Sequence, residues 1–202
     1  MRLPPVLSFA HELVGRALAE GDVAVDATVG NGHDTLLLAR LVGPSGLVFG
    51  LDIQAAALAS TRIRLFEAGL DDRVRLFLAS HDEMSDRLGP EVVGRRVGVV
   101  MFNLGYLPGS GGDRSRITRP ETTLPALEVA LGLLAPGGLL TVVLYPGHPG
   151  GRIESEAVSV WAETRAPSRA NVLRYEFLNP EAPSPILLAM VSREPRHRLA
   201  PG

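Results

Sequence analysis

The sequence predicts an α/β fold: a mostly parallel sheet of seven strands with helices on both faces, closed by an antiparallel hairpin at the C-terminal end. Three observations predict it. Short apolar, β-rich runs alternate with helical periods along most of the chain. The last two β-rich runs follow each other with only a turn between them, which predicts a hairpin. The size and composition, 202 residues with 46% hydrophobic and 21% charged, suit a single domain with a sizeable core and exclude extended disorder.

The elements follow in order. Ser8 to Glu20 reads as a helix capped by Ser8 and stopped by Gly21, with Phe9, Leu13, Val14 and Leu18 on one apolar face. Asp22 to Asp26 is a short buried strand ending in a glycine-bearing turn, and Asp34 to Val42 is the helix after it. Leu47 to Asp52 is the second strand, Gln54 to Ala68 the next helix, and Arg73 to Ala79 the third strand. Ser80-His-Asp-Glu83 opens a short helix, and Arg96 to Asn103 is strand four. A Gly-, Ser-, Arg- and Pro-rich loop then runs to about Thr122; Thr123 is the expected cap of a helix with Pro125 in its first turn, stopped by Pro136-Gly-Gly138. Leu139 to Tyr145 is strand five, followed by the loop to Gly151 and a helix to about Arg165. Asn171 to Leu178 and Pro185 to Ser192 form the expected hairpin, and residues 193–202 read as a loose tail of the single domain 1–202.

In such a sheet the ligand site lies outside the carboxyl ends of the strands. The unusual loops, 26–34, 52–54, 80–83, 103–120 and 145–151, all fall at those ends. Composition narrows the chemistry. All 20 basic residues are arginine and there is no cysteine, so lysine chemistry, thiol nucleophiles, disulfides and cysteine-ligated zinc are excluded. No metal site is expected. A net charge of −2 argues against gripping nucleic acid by bulk charge; any RNA contact is local and carried by arginine. No signal segment and no run of roughly 18 unbroken apolar residues is visible, so a cytoplasmic protein without membrane partners is expected.

The turn Asp26-Ala-Thr-Val-Gly30-Asn31-Gly32-His33-Asp34 joins a strand to a helix, where glycines allow close backbone approach and the helix start offers free N–H groups. A dinucleotide fingerprint fails, because Thr35 stands at its third glycine position. The acid and spaced glycines of class I S-adenosylmethionine methyltransferases fit Asp26, Gly30 and Gly32, with Thr28 where the first glycine usually stands. Asp52 ends strand two, about 20 residues beyond the turn, where an acid accepts ribose hydroxyls; that spacing is shared with NAD sites and selects a nucleoside ligand without choosing one. A terminal antiparallel pair is characteristic of the class I methyltransferase fold, by analogy of fold.

Three long motifs carry a more specific resemblance: Asp26-Ala-Thr-Val-Gly-Asn-Gly-His-Asp-Thr35, Asn103-Leu-Gly-Tyr-Leu-Pro-Gly109 and Tyr145-Pro-Gly-His-Pro-Gly-Gly151. With Ser80-His81-Asp82 and Thr118-Arg-Pro-Glu-Thr-Thr123, they make residues 8–192 similar to the family named Putative rRNA methylase. The resemblance implies a Rossmann-like class I methyltransferase fold and an enzyme that uses S-adenosylmethionine. It also implies a homodimer, with tRNA as substrate: methylation of the amine of 5-aminomethyl-2-thiouridine at the wobble position of the anticodon loop. Ribosomal RNA or a small amine is the alternative acceptor, and an NAD-dependent reductase the rival class. One departure stands out: Gly109-Ser-Gly-Gly-Asp-Arg114 carries an insertion and an arginine where the family often has Gly-Gly-Asp-Lys.

Within that frame the cofactor contacts are expected from Asp26, Thr28, Gly30, Asn31, Gly32, Asp34 and Thr35 in the first loop and Asp52, Ile53 and Gln54 in the second. Ser80, His81, Asn103 and Gly105 complete them. Methyl transfer from a sulfonium requires position and a deprotonated acceptor. The Asn103 carbonyl can aim an amine lone pair, and Tyr106 can stack on the base or close the pocket. His148 is the candidate proton acceptor, with Asp113 as the alternative. Arg114, Arg116 and Arg119 form the densest basic cluster and are the candidate RNA contacts; Arg193, Arg196 and Arg198 make a second, weaker group.

Overall fold

Seven strands form one sheet in the order β3-β2-β1-β4-β5-β7-β6. The computed structural model describes residues 2–105, 117–180 and 183–193. The strands are β1 (Val23–Asp26), β2 (Leu47–Asp52), β3 (Val74–Leu78), β4 (Val97–Asn103), β5 (Leu139–Leu144), β6 (Ala170–Tyr175) and β7 (Ile186–Ser192). The first five are parallel, whereas β7 runs antiparallel between β5 and β6. This is the expected Rossmann-like methyltransferase sheet with its C-terminal hairpin.

The α-helices among the described residues are α1 (Val6–Ala17), α2 (His33–Leu41), α3 (Ala55–Glu67), α4 (Met84–Leu88), α5 (Pro120–Leu133) and α6 (Gly151–Thr164). Alternation along the strands explains how they sort. Val100 and Phe102 of β4 belong to the apolar cluster on the side of α4, α5 and α6, together with Met84, Leu127 and Trp161. Val99 and Met101 belong to the other cluster, with Val14, Leu38 and Leu65 of α1, α2 and α3. The central strands are buried on both sides, hence their near-continuous apolar runs.

Most boundaries shift from the expected ones by a residue or two, but two caps change. α1 starts at Val6, after Pro5 sets an extended backbone, so Ser8 lies inside the first turn and caps nothing. Its buried stripe is Val6, Ala10 and Val14, and Phe9 instead packs on Tyr175 with ring centroids 4.6 Å apart. α5 starts at Pro120 with Arg119 as its cap residue. Thr123 is buried within the helix rather than capping it, and Pro125 falls in the second turn. There it deprives the Glu121 carbonyl of a partner, a loss tolerated on an exposed face. The expected tail also begins later, since Arg193 donates to Asn171 Oδ1 and to the Pro167 carbonyl.

The sheet order reverses direction between β1 and β4. Chain crossing from β1 goes to β2 on one side, while β4 and β5 lie on the other, which opens a crevice above the carboxyl ends of β1 and β4. No helix among the described residues is long and apolar enough to cross a membrane.

Candidate active site

A cavity of about 500 Å³ occupies that crevice. Its walls come from the loops after β1, β2, β3, β4 and β5, so the five expected loops do converge. The volume suits a nucleoside-sized ligand.

The glycine turn is its floor. Gly30 and Gly32 have φ of 50° and 77°, which favours glycine, and a Cβ on Gly32 would fall 2.5 Å from Thr61 Oγ1 on α3. No other residue fits there without moving α3. Asp52 fastens the turn from the side: Oδ2 accepts the Gly30 N–H at 2.8 Å and Oδ1 the Gln54 N–H at 2.8 Å. Burial raises the pKa of Asp52, while the backbone N–H groups of Gly30, Gln54 and Ile53 work against the rise.

Asp26 sits beneath the floor and does not reach the cavity. It is 1% exposed, accepting the Thr28 N–H at 3.2 Å and the Thr35 hydroxyl at 2.5 Å. Burial, then the charge of Asp34, pushes its pKa up to about 7. Thr35 and Gly32 likewise shape the turn from behind the wall, whereas Thr28, Gly30, Asn31, Asp34, Asp52, Ile53, Gln54, Ser80, His81, Asn103 and Gly105 line it.

His81 is buried against Phe102, with ring centroids 5.7 Å apart, and its Nε2 lies 3.2 Å from Thr122 Oγ1. Burial pulls its pKa down to about 4, so it is neutral at physiological pH. Ser80 combines two roles: it lines the cavity, and its N–H is held by Glu83 Oε1 at 3.0 Å at the start of the next helix.

Asn103 ends β4. Its N–H donates to Thr28 Oγ1 at 2.7 Å, tying β4 to the glycine turn. Its side-chain Nδ2 donates to Asp34 Oδ2 at 2.7 Å, and its Oδ1 accepts from Tyr145 at 3.0 Å. His148 lines the opposite wall, its ring against Gly105. Nδ1 lies 2.9 Å from the Pro149 carbonyl, an obligate acceptor, so Nδ1 carries the hydrogen and Nε2 is the basic nitrogen of the neutral ring.

Tyr106, Asp113, Arg114 and Arg116 lie outside the described residues, as do Arg196 and Arg198. The residues that flank that segment, Gly105 and Thr118, are described and are held tightly. The Thr118 N–H donates to the Gly105 carbonyl at 3.0 Å, and Thr118 Oγ1 accepts the Gly105 N–H at 2.9 Å. Thr118 Oγ1 then donates to Glu154 Oε2 at 2.5 Å, and Thr123 Oγ1 donates to Glu154 Oε1 at 2.7 Å. Arg119 is exposed at the start of α5, beside Thr118.

Sequence reasoning missed His11, Glu154, Thr118 and Tyr145 as contributors. Tyr145 and Thr118 stand within motifs that point here. His11 and Glu154 carry no local signal, since one lies 23 residues from Asp34 and the other 36 from Thr118.

A family model described as "Putative rRNA methylase" matches residues 48–191. The chain belongs to that family. A member of the rRNA methylase family thus has the crevice, glycine turn and Asn103 loop described above. It is 40% identical over 193 residues to the "tRNA (mnm(5)s(2)U34)-methyltransferase, chloroplastic" of Arabidopsis thaliana, covering 92% of this chain and 68% of that protein. Among solved structures, a "putative rRNA-methylase" from Clostridium thermocellum superposes with a TM-score of 0.88 at 41% identity, over 95% of this chain and 100% of that one. A "putative methyltransferase" from Streptococcus mutans, solved in complex with SAH, gives 0.81 at 30% identity, over 95% and 99%. With this family and fold, the chain is a methyltransferase of the rRNA/tRNA methylase type.

Proposed function

We propose that this protein uses S-adenosylmethionine to methylate the amine of 5-aminomethyl-2-thiouridine at the wobble position of tRNA. The observation that carries the reading is the charge of the cavity. Its walls hold the carboxylates of Asp34 and Asp52 and the carboxamide of Asn103, and no arginine among the described residues. Such a site suits a cationic cofactor and a basic acceptor. It is ill suited to the pyrophosphate of a dinucleotide, which sets the reductase reading aside.

The residues present fit the cofactor. When bound, S-adenosylmethionine supplies a methyl group made electrophilic by its sulfonium. Asp52 keeps acceptor capacity beyond its bonds from the Gly30, Gln54 and Ile53 N–H groups, since a carboxylate offers about four lone-pair sites, and what remains suits a ribose hydroxyl. Gly30 keeps the floor open to close approach, and Gly32 lets the turn pack against α3 from behind. Asn103 Oδ1 accepts an N–H of the substrate amine and so aims its lone pair. His148 is the residue this reading assigns to receive the proton the amine must lose. Tyr106, Asp113, Arg114, Arg116 and Arg119 belong to the substrate side of this proposal, the arginines meeting phosphates and bases of the anticodon loop. The Arabidopsis relative, whose name specifies this wobble nucleoside, supports the choice of acceptor.

Two measurements test it. Calorimetry with S-adenosylmethionine and with NADH is expected to show binding of the first alone; tight NADH binding alone would overturn the reading. Nucleoside mass spectrometry of tRNA incubated with purified protein and S-adenosylmethionine should show the 5-aminomethyl nucleoside gaining one methyl. Methylation confined to ribosomal RNA or to free amines would overturn the acceptor.

A further inference from the structure

His11, Asp34, Asn103 and Tyr145 come from α1, α2, the end of β4 and the residue after β5, yet they form one hydrogen-bonded row. His11 Nε2 lies 2.7 Å from Asp34 Oδ1, Asn103 Nδ2 lies 2.7 Å from Asp34 Oδ2, and the Tyr145 hydroxyl lies 3.0 Å from Asn103 Oδ1. Asp34, Asn103 and Tyr145 line the cavity, while His11 stands behind Asp34, away from the wall.

The row has a fixed polarity. A carboxylate only accepts, so His11 must donate through Nε2–H and Asn103 must turn its NH₂ end toward Asp34. Burial and the charge of Asp34 push the Tyr145 pKa above its ordinary value, so the phenol stays protonated and can donate to Asn103 Oδ1. Rotating the carboxamide by half a turn would set Oδ1 against Asp34 Oδ2, acceptor against acceptor. The Asn103 backbone is pinned as well, through its N–H on Thr28. Asn103 therefore presents one face, with the second lone pair of Oδ1 open to a donor.

Building on the methyltransferase reading above, we propose that His11 and Tyr145 are positioning residues that hold the Asn103 carboxamide in the orientation in which Oδ1 accepts an N–H of the substrate amine. His11 acts through Asp34, whose carboxylate it anchors from behind. Tyr145 acts directly on Oδ1. Neither exchanges a proton with substrate. The device explains why Asp34, an acid in the glycine turn, has both oxygens committed to protein donors.

The test reads the amide itself. In ¹⁵N-labelled protein the Asn103 side-chain signal, assigned by its disappearance in Asn103→Asp, should show one downfield proton protected from exchange. His11→Ala should abolish that protection, and His11→Gln, which restores an N–H donor, should recover it; thermal melts confirm that each variant is folded. With saturating S-adenosylmethionine, His11→Ala and Tyr145→Phe should lower kcat for tRNA methylation about 10-fold or more, leaving cofactor affinity within about 2-fold. Full protection in His11→Ala, or loss that glutamine does not repair, overturns the proposal. A wild-type protein that methylates no tRNA overturns the acceptor reading instead, and the amide signal then decides the positioning role alone.

Discussion

Asp52 Oδ2 accepts the Gly30 N–H at 2.8 Å, joining the end of β2 to the glycine turn after β1. One carboxylate thus shapes the floor of the cavity and, in the proposed function, offers its remaining acceptor capacity to the cofactor ribose. Asp52→Ala removes both functions, so affinity for S-adenosylmethionine should fall at least about 10-fold, the loss expected for one or more charged hydrogen bonds. Titration calorimetry measures it. Unchanged affinity would show that the ribose hydroxyls are held elsewhere.

Glu154 is 2% exposed and receives two threonine hydroxyls, one of which closes the base of the loop that follows Gly105. Glu154→Ala leaves both hydroxyls without their acceptor, at a cost of about 2–4 kcal/mol. Urea unfolding should register that loss. Amide exchange at Gly105 and Thr118 should quicken in the same variant, because their mutual bonds lose the Glu154 anchor. A destabilised protein with unaltered exchange at those two amides would mean the loop base is held independently of Glu154.

Two buried groups give stability opposite slopes with pH. Asp26 has its pKa raised from 3.8 to about 7, so the stability it contributes is complete below about pH 4 and is lost as pH rises to 7. His81 has its pKa lowered from 6.5 to about 4, so its contribution is complete above 6.5 and is lost as pH falls toward 4. Asp26→Asn removes only the first slope. Its stability relative to wild type should therefore improve with rising pH, by at most about 1.4 kcal/mol per pH unit, whereas His81→Gln should gain relative to wild type on the acid side. Urea titrations at steps from pH 4.5 to 7.5 decide it; a pH-independent difference for Asp26→Asn would place its titration outside this window.

The alternation of β-rich runs and helical periods made the sheet legible, and Asn103, Asp52 and the glycine turn were legible because strand ends and turn glycines leave local marks. The helix starts were less so. Ser8 and Thr123 are good cap residues by type, but Pro5 and Pro120 set the backbone first and took the starts to Val6 and Pro120. His11 and Glu154 were not legible at all. Their partners lie on other elements, and only the docking of α1 and α6 on opposite faces of the sheet brings them to Asp34 and Thr118.

Arg119 tests the proposed RNA contact. With no arginine among the described lining of the cavity, attraction for a polyanion must come from its rim, and Arg119 is the exposed cation where α5 begins beside the loop base. A phosphate contact there releases about one counterion, so Arg119→Ala should weaken tRNA binding several-fold at moderate salt and reduce the slope of log affinity against log salt by about 1. The same variant should bind S-adenosylmethionine as wild type does, because the rim is not part of the cofactor wall. Filter binding at stepped salt, set beside cofactor calorimetry, separates the outcomes. An unchanged salt slope would take Arg119 off the RNA path; a loss of cofactor affinity would mean that the start of α5 shapes the cavity rather than its rim.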